Sequence, residues 1–196
     1  MKSIMSFKFI FSTFWLSLVI TNISCASSNE SLVNIISNNL LDKSTSEQRT
    51  ALHKIIGWPD SCNETFTFPT SGFKFFKQTD NQFILQVVCT YGTYQGMSLF
   101  YKVDISSETN HSNLINFPKS YSDKNRETEI WGNVLSDSKV NNFTILNLYS
   151  GYGHCGRLTT YDLSVKKPKI TQLKQQDNCD AKPVERDPEK WPLVNK

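Results

Sequence analysis

The sequence lacks the short motifs that most often mark an enzyme. Its 196 residues contain no Gly-x-Ser-x-Gly turn, no His-Glu-x-x-His pattern and no glycine-rich phosphate loop. No pair of carboxylates at a catalytic spacing stands out either. The absence of a motif does not exclude catalysis, but it removes the usual grounds for assigning it. The sequence therefore favours a protein that is not an enzyme, and it indicates no catalytic residue and no cofactor.

An excess of charge of one sign is also missing. The whole chain carries a formal net charge of +3, and Lys2 and Lys8 supply two of those charges, which leaves +1 beyond the first 26 residues. A nearly neutral chain exerts little long-range attraction on nucleic acid or on an anionic membrane. We therefore predict no nucleic-acid partner.

Only one long hydrophobic run is present, and it lies near the N-terminus. Residues Phe9–Ile20 are almost continuously apolar, follow a basic segment, and precede small residues at Ser24 and Ala26. A basic head, a short apolar stretch and a small-x-small pattern are typical of a secretory signal peptide. We predict a signal peptide over residues 1–26, cleaved after Ala26.

Two other interpretations of this segment stay open. An uncleaved membrane anchor is disfavoured because the run is shorter than the ~20 residues that span a bilayer. A lipid-modified Cys25 is disfavoured because Asn22 stands where a lipoprotein signal has an aliphatic residue. After cleavage we expect no stable membrane insertion. We expect a flexible segment over residues 27–43 and one domain over residues 44–196, in the periplasm or secreted.

Four cysteines remain beyond the predicted cleavage point: Cys62, Cys89, Cys155 and Cys179. An even number in an exported chain predicts two disulfides, for which four cysteines allow three connectivities. We favour Cys62–Cys89 and Cys155–Cys179, because each pair then lies within one half of the chain. Each bond would stabilise the fold by about 3 kcal/mol. A zinc site is disfavoured, since no two cysteines are separated by two to four residues. We therefore predict no metal.

The remaining domain is predicted to be mainly β with one short N-terminal helix. Ser44 and Glu47 match a helix capping box, and Gly57 would end the helix. Its apolar face would comprise Leu52, Ile55 and Ile56. Downstream, alternating apolar runs separated by turn residues predict antiparallel strands, in a sandwich-like arrangement or a partly open barrel. These strands fall at residues 73–76, 82–90, 97–104, 114–117, 129–135, 143–149, 157–164 and 169–173.

Two of the predicted hairpins resemble each other. Each contains a strand, a Tyr-Gly turn with small residues, and a second strand ending in tyrosine. With one gap, Tyr91 aligns with Tyr152 and Tyr101 with Tyr161. Two related hairpin units would explain the similarity, and so would chance.

An ordered set of short motifs gives the chain a resemblance to a known family. The motifs are WPDSCNETF, LQVVCTYGTYQG, GYGHCG, NCD and WP, within residues 55–193. They resemble the exported bacterial proteins grouped as domain of unknown function 1176, especially the short, cyanobacterial-type members. His154 departs from the pattern, since the family usually has Asp there, and so does Ala181, where Gly is frequent. The resemblance implies a disulfide-bonded, exported domain and no particular activity.

The turn within residues 149–165 is the first candidate site. His154 could act as a base or ligand and Arg157 as an anion clamp, since histidine exchanges protons near neutral pH. A Cys-His nucleophile would require Cys155 to be a free thiolate. The alternative, which we favour, is a turn shaped by its glycines and fixed by a disulfide, because a lone histidine is weak support for catalysis.

A second candidate is the loop containing Tyr94 and Gln95. An aromatic ring beside an amide could bind a sugar or a peptide, although tyrosines in such loops often only cover a sheet edge. Trp58 and Asp60, next to Cys62, could line a pocket. A tryptophan beside a disulfide more often lies in the core.

These observations favour an exported, non-enzymatic binding or structural module of the bacterial cell envelope. Its partner would be an envelope protein or a glycan, bound around Tyr94, Gln95, His154 and Arg157. One alternative is an inhibitor of an envelope-degrading enzyme such as lysozyme. Another is an envelope hydrolase that uses His154.

Overall fold

The computed structural model describes residues 45–64, 72–105, 111–122, 124–135, 142–180 and 185–195. The predicted signal peptide and the predicted flexible segment over residues 27–43 lie outside the described residues.

Two antiparallel sheets form most of the described structure. Helices α1 (Thr45–Ile56) and α2 (Ser61–Glu64) come first. The strands are β1 (Phe73–Lys77), β2 (Gln82–Tyr91), β3 (Gly96–Asp104), β4 (His111–Leu114), β5 (Phe117–Pro118), β6 (Arg126–Glu127), β7 (Ile130–Trp131), β8 (Asn133–Val134), β9 (Asn142–Leu148), β10 (Gly156–Asp162) and β11 (Lys169–Gln176). A final 3₁₀ turn covers Pro188–Lys190.

The first sheet has the order β1-β2-β3-β4, with β7 also paired to β3, and the second has the order β11-β10-β9-β8. Strands β5 and β6 form a separate ribbon. Every strand pair is antiparallel and neither sheet closes into a barrel. The predicted mainly β, sandwich-like fold is therefore confirmed. The two similar hairpins, β2–β3 and β9–β10, occupy the centres of the two sheets.

The first sheet is buried on both faces, which gives the molecule two cores. On one face, Leu85, Val87 and Cys89 of β2 pack against α1 through Leu52 and Ile56. The predicted alternation along β2 is confirmed by this burial.

The predicted helix is confirmed too, and it ends where Gly57 donates its backbone N–H to the His53 carbonyl at 2.8 Å. Trp58, one of the suggested pocket residues, is 2% exposed and belongs to this core.

The other core lies between the two sheets and is rich in aromatic rings. Phe100 contacts Phe117 and Phe143 edge-on at centroid distances of 5.5 and 5.3 Å. Phe143 also meets Phe76 at 5.2 Å, and Phe117 meets Tyr161 at 4.8 Å. Edge-on pairs at these distances add to the hydrophobic gain from burial. The two sheets are therefore fixed face to face by rings from both.

The segment predicted as one strand over residues 129–135 differs from expectation. It consists of β7, which pairs with β3 in the first sheet, and β8, which pairs with β9 in the second. The chain changes sheets at Gly132, where a Cβ atom would lie 2.5 Å from the Leu146 carbonyl oxygen. The predicted strand near residues 114–117 is likewise divided, between β4 and β5. Local apolar patterns do not reveal which sheet a residue joins.

Both predicted disulfides are confirmed. Cys62–Cys89 joins α2 to β2, and Cys155–Cys179 joins the β9–β10 loop to the segment after β11. Such bonds are typical of proteins that fold in an oxidising compartment. None of the helices within the described ranges has the length and apolar character needed to cross a membrane.

The C-terminal segment lies along β11 and is held by Trp191. Trp191 is 2% exposed, and its indole N–H donates to the Glu185 carbonyl at 3.1 Å. The Val194 backbone N–H donates to the Leu173 carbonyl at 2.9 Å.

The buried phenol of Tyr161 should make stability fall in alkaline solution. Burial raises the pKa of Tyr161 from 10.0 to about 12, with smaller opposing effects from Arg157 and Thr159. The folded state therefore holds the phenol proton more tightly than the unfolded chain does. Its contribution is fully present below pH 10.0 and is lost as the pH rises to about 12, which should lower the free energy of unfolding by about 3 kcal/mol.

Urea unfolding at about pH 9 and at about pH 12, where half of the folded molecules have lost the Tyr161 proton and most of the loss in stability is reached, tests the effect. The Tyr161→Phe variant should lose most of the alkaline decline. Some decline should persist in it, because burial also raises the pKa of Tyr101 and of Tyr149. An equal decline in both proteins would contradict the assignment to Tyr161.

Candidate functional site

The two Tyr-Gly loops lie side by side at one end of the sandwich, and Gln95 holds them together. The Gln95 carbonyl oxygen Oε1 accepts from the Leu148 backbone N–H at 2.8 Å. Its amide Nε2 donates to the Leu148 carbonyl at 3.2 Å and to Asn147 Oδ1 at 3.0 Å. The side chain thus pairs with β9 as a neighbouring backbone would. The structure places Gln95 in a connection between the two sheets.

Tyr94 belongs to the same turn and packs against the second loop. A Cβ atom built on Gly151 would lie 3.3 Å from Tyr94 Cδ1, so the missing side chain lets the ring approach the loop backbone. Tyr94 remains 42% exposed. Its ring is therefore held in place on one side and open to a ligand on the other.

His154 is engaged by neighbours within its own region. Its Nε2 forms a hydrogen bond with the Cys179 carbonyl, so this nitrogen must carry the hydrogen. Its ring stacks on Tyr152 with centroids 5.9 Å apart and an interplanar angle of 24°. Tyr152 is 84% exposed. His154 therefore supports an exposed ring beside the Cys155–Cys179 disulfide.

Arg157 lies on β10, at the base of the second loop. Its guanidinium donates to the Lys119 carbonyl, and its Nε is buried without a hydrogen-bond partner among the described residues. Burial raises the pKa of Tyr149, and the nearby positive charge of Arg157 partly opposes that shift. The structure thus places Arg157 beside Tyr149 and the Lys119 backbone.

A tryptophan absent from the predicted site extends this surface. Trp131 of β7 is 43% exposed, and its Cζ3 atom would lie 3.4 Å from a Cβ atom built on Gly92. Trp131 therefore lies against the turn that contains Tyr94. We call Tyr91, Tyr94, Trp131 and Tyr152 the aromatic surface. Nothing local in the sequence links Trp131 to the tyrosines, because the sheet change at Gly132 brings it there.

A groove of about 310 Å³ begins at Tyr91 and runs past Gly132 between the sheets. Its volume falls in the range of small-molecule sites. The polar side chains along it are Lys74, Gln86, Ser98 and Asn133. Gln86 donates to the hydroxyl of the buried Ser98 at 3.0 Å. This polar groove therefore offers amide, hydroxyl and ammonium groups next to exposed aromatic rings.

Within the part of the chain that the structure describes, no group of three or more His, Cys, Asp and Glu side chains is placed to hold a metal ion.

Comparison with known proteins gives no match to a family model, to a curated protein or to a solved structure. The resemblance to domain of unknown function 1176 stays a prediction, and the interpretation of the site rests on its geometry.

Proposed function

We propose that this protein is a non-enzymatic binding module of the bacterial cell envelope, working in the periplasm or outside the cell, and that it binds a glycan. The observation that carries the proposal is the aromatic surface beside the polar groove. Gln95 fixes two sequence-distant loops so that their exposed rings lie next to hydrogen-bonding side chains. The signal-like N-terminus and the two disulfides support an exported location.

Sugars suit this combination of groups. A pyranose ring has an apolar C–H face that packs on an aromatic ring, and hydroxyls that need donors and acceptors. Tyrosine and tryptophan supply large rigid faces at low entropic cost. In the proposed complex the rings of Tyr94 and Trp131 contact sugar faces, and Gln86 and Asn133 meet hydroxyls. Gln95 and His154 act by positioning the rings.

His154 and Arg157 both contact backbone carbonyls of neighbouring segments. Nε2 of His154 donates to the Cys179 carbonyl, which leaves Nδ1 as the nitrogen without a hydrogen, and the Arg157 guanidinium donates to the Lys119 carbonyl. A general base must present an unprotonated nitrogen to its substrate, so a hydrolase would have to use Nδ1. The two observed contacts hold the loop, which is the role that the binding proposal gives to these side chains.

Tryptophan fluorescence provides a direct test of glycan binding. Of the three tryptophans beyond the predicted signal peptide, Trp58 and Trp191 are each 2% exposed while Trp131 is 43% exposed. Soluble peptidoglycan fragments and N-acetylglucosamine oligosaccharides should therefore shift or quench Trp131 emission. Replacing Tyr94 with alanine should weaken binding about fivefold, because an aromatic contact contributes about 1 kcal/mol beyond burial.

Leu114→Ala serves as the matched control for this titration. Leu114 is also 43% exposed but pairs with Tyr101, farther along β3 from the aromatic surface. This variant should bind the glycans as the parent protein does. Unchanged emission with all of these saccharides, in a folded and disulfide-bonded sample, would refute glycan binding.

One observation favours a second candidate, an inhibitor of lysozyme. Tyr152 is 84% exposed within a disulfide-fixed loop, which would suit insertion into an enzyme cleft. Lysis of bacterial cell walls by lysozyme, measured with and without the protein, decides this. Undiminished lysis would eliminate the inhibitor.

A further inference from the structure

A second cavity lies toward the other end of the sandwich, near the β10–β11 turn. It has a volume of about 480 Å³, within the range of small-molecule sites. Apolar side chains from both sheets line it, including Ile84 of β2 and Leu163 after β10. Its cationic residues are Lys102, Arg126, Lys166 and Lys167, and none of its lining residues is acidic. We call this cavity the basic cleft.

The three lysines of the basic cleft have no acidic partner among the described residues. Lys102, Lys166 and Lys167 form no ion pair with any residue in the described ranges. Other lysines of the chain do find acidic partners, such as Lys77 with Asp80 at 2.8 Å and Lys119 with Glu127 at 2.7 Å. The cleft therefore concentrates three lysines without acidic partners among the described residues, in a molecule whose net charge is only +3.

The cationic side chains of the basic cleft are not all on the outer surface of the protein, because Lys102 lies on an inward-facing side of a sheet. Lys102 follows Phe100 by two residues on β3, and residues two apart in a strand point to the same face. Because Phe100 belongs to the core between the sheets, Lys102 lies on the face of the first sheet that packs toward the second. Arg126 connects the walls of the cleft, since its guanidinium donates to the Asn116 carbonyl and, at 3.0 Å, to the Pro168 carbonyl. One cation is thus carried on the inward-facing side of a strand and another is fixed across the opening.

We propose that the basic cleft binds a small amphipathic anion, with its acidic head among these cations and its apolar chain over the Ile84–Leu163 floor. Charge complementarity selects the head, because the ammonium groups of Lys102, Lys166 and Lys167, which have no acidic partner among the described residues, attract a carboxylate or phosphate. The apolar lining selects the body, because burying a hydrocarbon chain there removes apolar surface from water. This site is separate from the aromatic surface and does not depend on the proposed glycan binding.

Matched ligands separate the two contributions. Dodecanoate has both an apolar chain and a negative charge. Dodecanol has the apolar chain without the charge, and inorganic phosphate has the charge without the chain. Calorimetric titration of the disulfide-bonded protein should show dodecanoate binding at least about tenfold more tightly than either of the others. Binding should weaken in about 0.5 M NaCl, because salt screens exposed charges. If dodecanol binds as tightly as dodecanoate, the cations do not contribute to binding. If phosphate binds as tightly as dodecanoate, the apolar floor does not contribute. Either result overturns the proposal.

Charge-removing variants place the ligand in the cleft. A Lys166→Gln and Lys167→Gln double variant should bind dodecanoate about tenfold more weakly, and Lys102→Gln several-fold more weakly. Lys54→Gln, which removes an exposed lysine from α1, is the matched control and should bind as the parent does. If Lys54→Gln reduces binding as much as the double variant, only net charge matters and the site is not the basic cleft. Tyr94→Ala should leave dodecanoate binding unchanged, which separates this outcome from the glycan test.

Discussion

Replacing Arg49 with methionine is expected to lower the free energy of unfolding by about 4 kcal/mol, because it leaves several buried acceptors without a donor and each unsatisfied group costs about 1 to 3 kcal/mol. Arg49 lies on α1 and is only 7% exposed. Its Nη2 donates to the Cys62 and Val88 carbonyls at 3.0 and 3.1 Å, and its Nε donates to Asn63 Oδ1 at 2.9 Å. A methionine would fill the space but leave these acceptors without a donor.

Two further contacts explain why a guanidinium occupies this position. Nη1 donates to the Gly72 carbonyl at 3.4 Å, and the Trp58 ring centroid lies 5.4 Å from the guanidinium carbon. Burial lowers the pKa of Arg49, with a smaller opposing effect from Tyr91, but a guanidinium stays protonated at neutral pH. Arg49 therefore joins α1, α2 and the first sheet through one planar, charged group.

Urea unfolding with the disulfides intact measures this effect. Arg49→Lys is the informative control, since lysine keeps the charge but has only one nitrogen and cannot reproduce the fork of donors. It should recover less than half of the loss. A methionine variant within about 1 kcal/mol of the parent would show that water or rearrangement satisfies the acceptors, contrary to the expectation.

The spacing of residues in the sequence places Arg49 on the apolar face of α1, which composition alone does not show. Arg49, Leu52 and Ile56 follow one another at the spacing of a single helix face. An arginine on an apolar face is ordinarily expected to extend into solvent. Here its partners are backbone carbonyls from β2 and the α2 region, which no local pattern could identify.

Structural elements that are determined by residues close together in the sequence could be predicted from the sequence. The β2–β3 and β10–β11 hairpins follow from apolar alternation and turn residues, and the helix follows from its cap and its apolar face. The disulfide pairing followed from proximity along the chain. By contrast, the division of residues 130–134 between two sheets depends on contacts with Leu146, which is distant in sequence.

In the candidate site, too, the loops could be predicted from nearby residues, whereas the contacts between residues distant in sequence could not. The loops containing Tyr94 and His154 were identified from their residue types, and the structure does bring the two loops together. The agent of that contact is Gln95, whose amide was expected to face a ligand and instead pairs with Leu148. Trp131 and the lysines of the basic cleft lie far apart in sequence from the residues beside them, so only the fold assembles these surfaces.

Gly156→Ala should be comparably damaging, by about 4 kcal/mol, because it combines backbone strain with overpacking, each worth about 1 to 3 kcal/mol. Gly156 opens β10 with a φ of 153°, and a Cβ atom there would lie 2.3 Å from the Asn147 carbonyl oxygen and 2.9 Å from Leu148 Cα. Both contacts are with backbone, so relief requires the end of β9 to move. That end carries the groups bonded to Gln95, so the same substitution should also weaken the proposed glycan binding.

Gly153→Ala is the matched control, because Gly153 also has a positive φ, 76°, but has nothing within 4 Å of an added Cβ atom. It should cost only about 1 to 2 kcal/mol, the usual penalty for a left-handed residue with a side chain. Urea unfolding gives the two free energies, and Trp131 fluorescence with added saccharide gives the effect on binding. If Gly156→Ala is as mild as Gly153→Ala, the strand end yields to the extra atom. In that case the pairing of β9 with Gln95 is too soft to fix the aromatic surface, and the two loops must be held together by the packing of the Tyr94 ring on Gly151 instead.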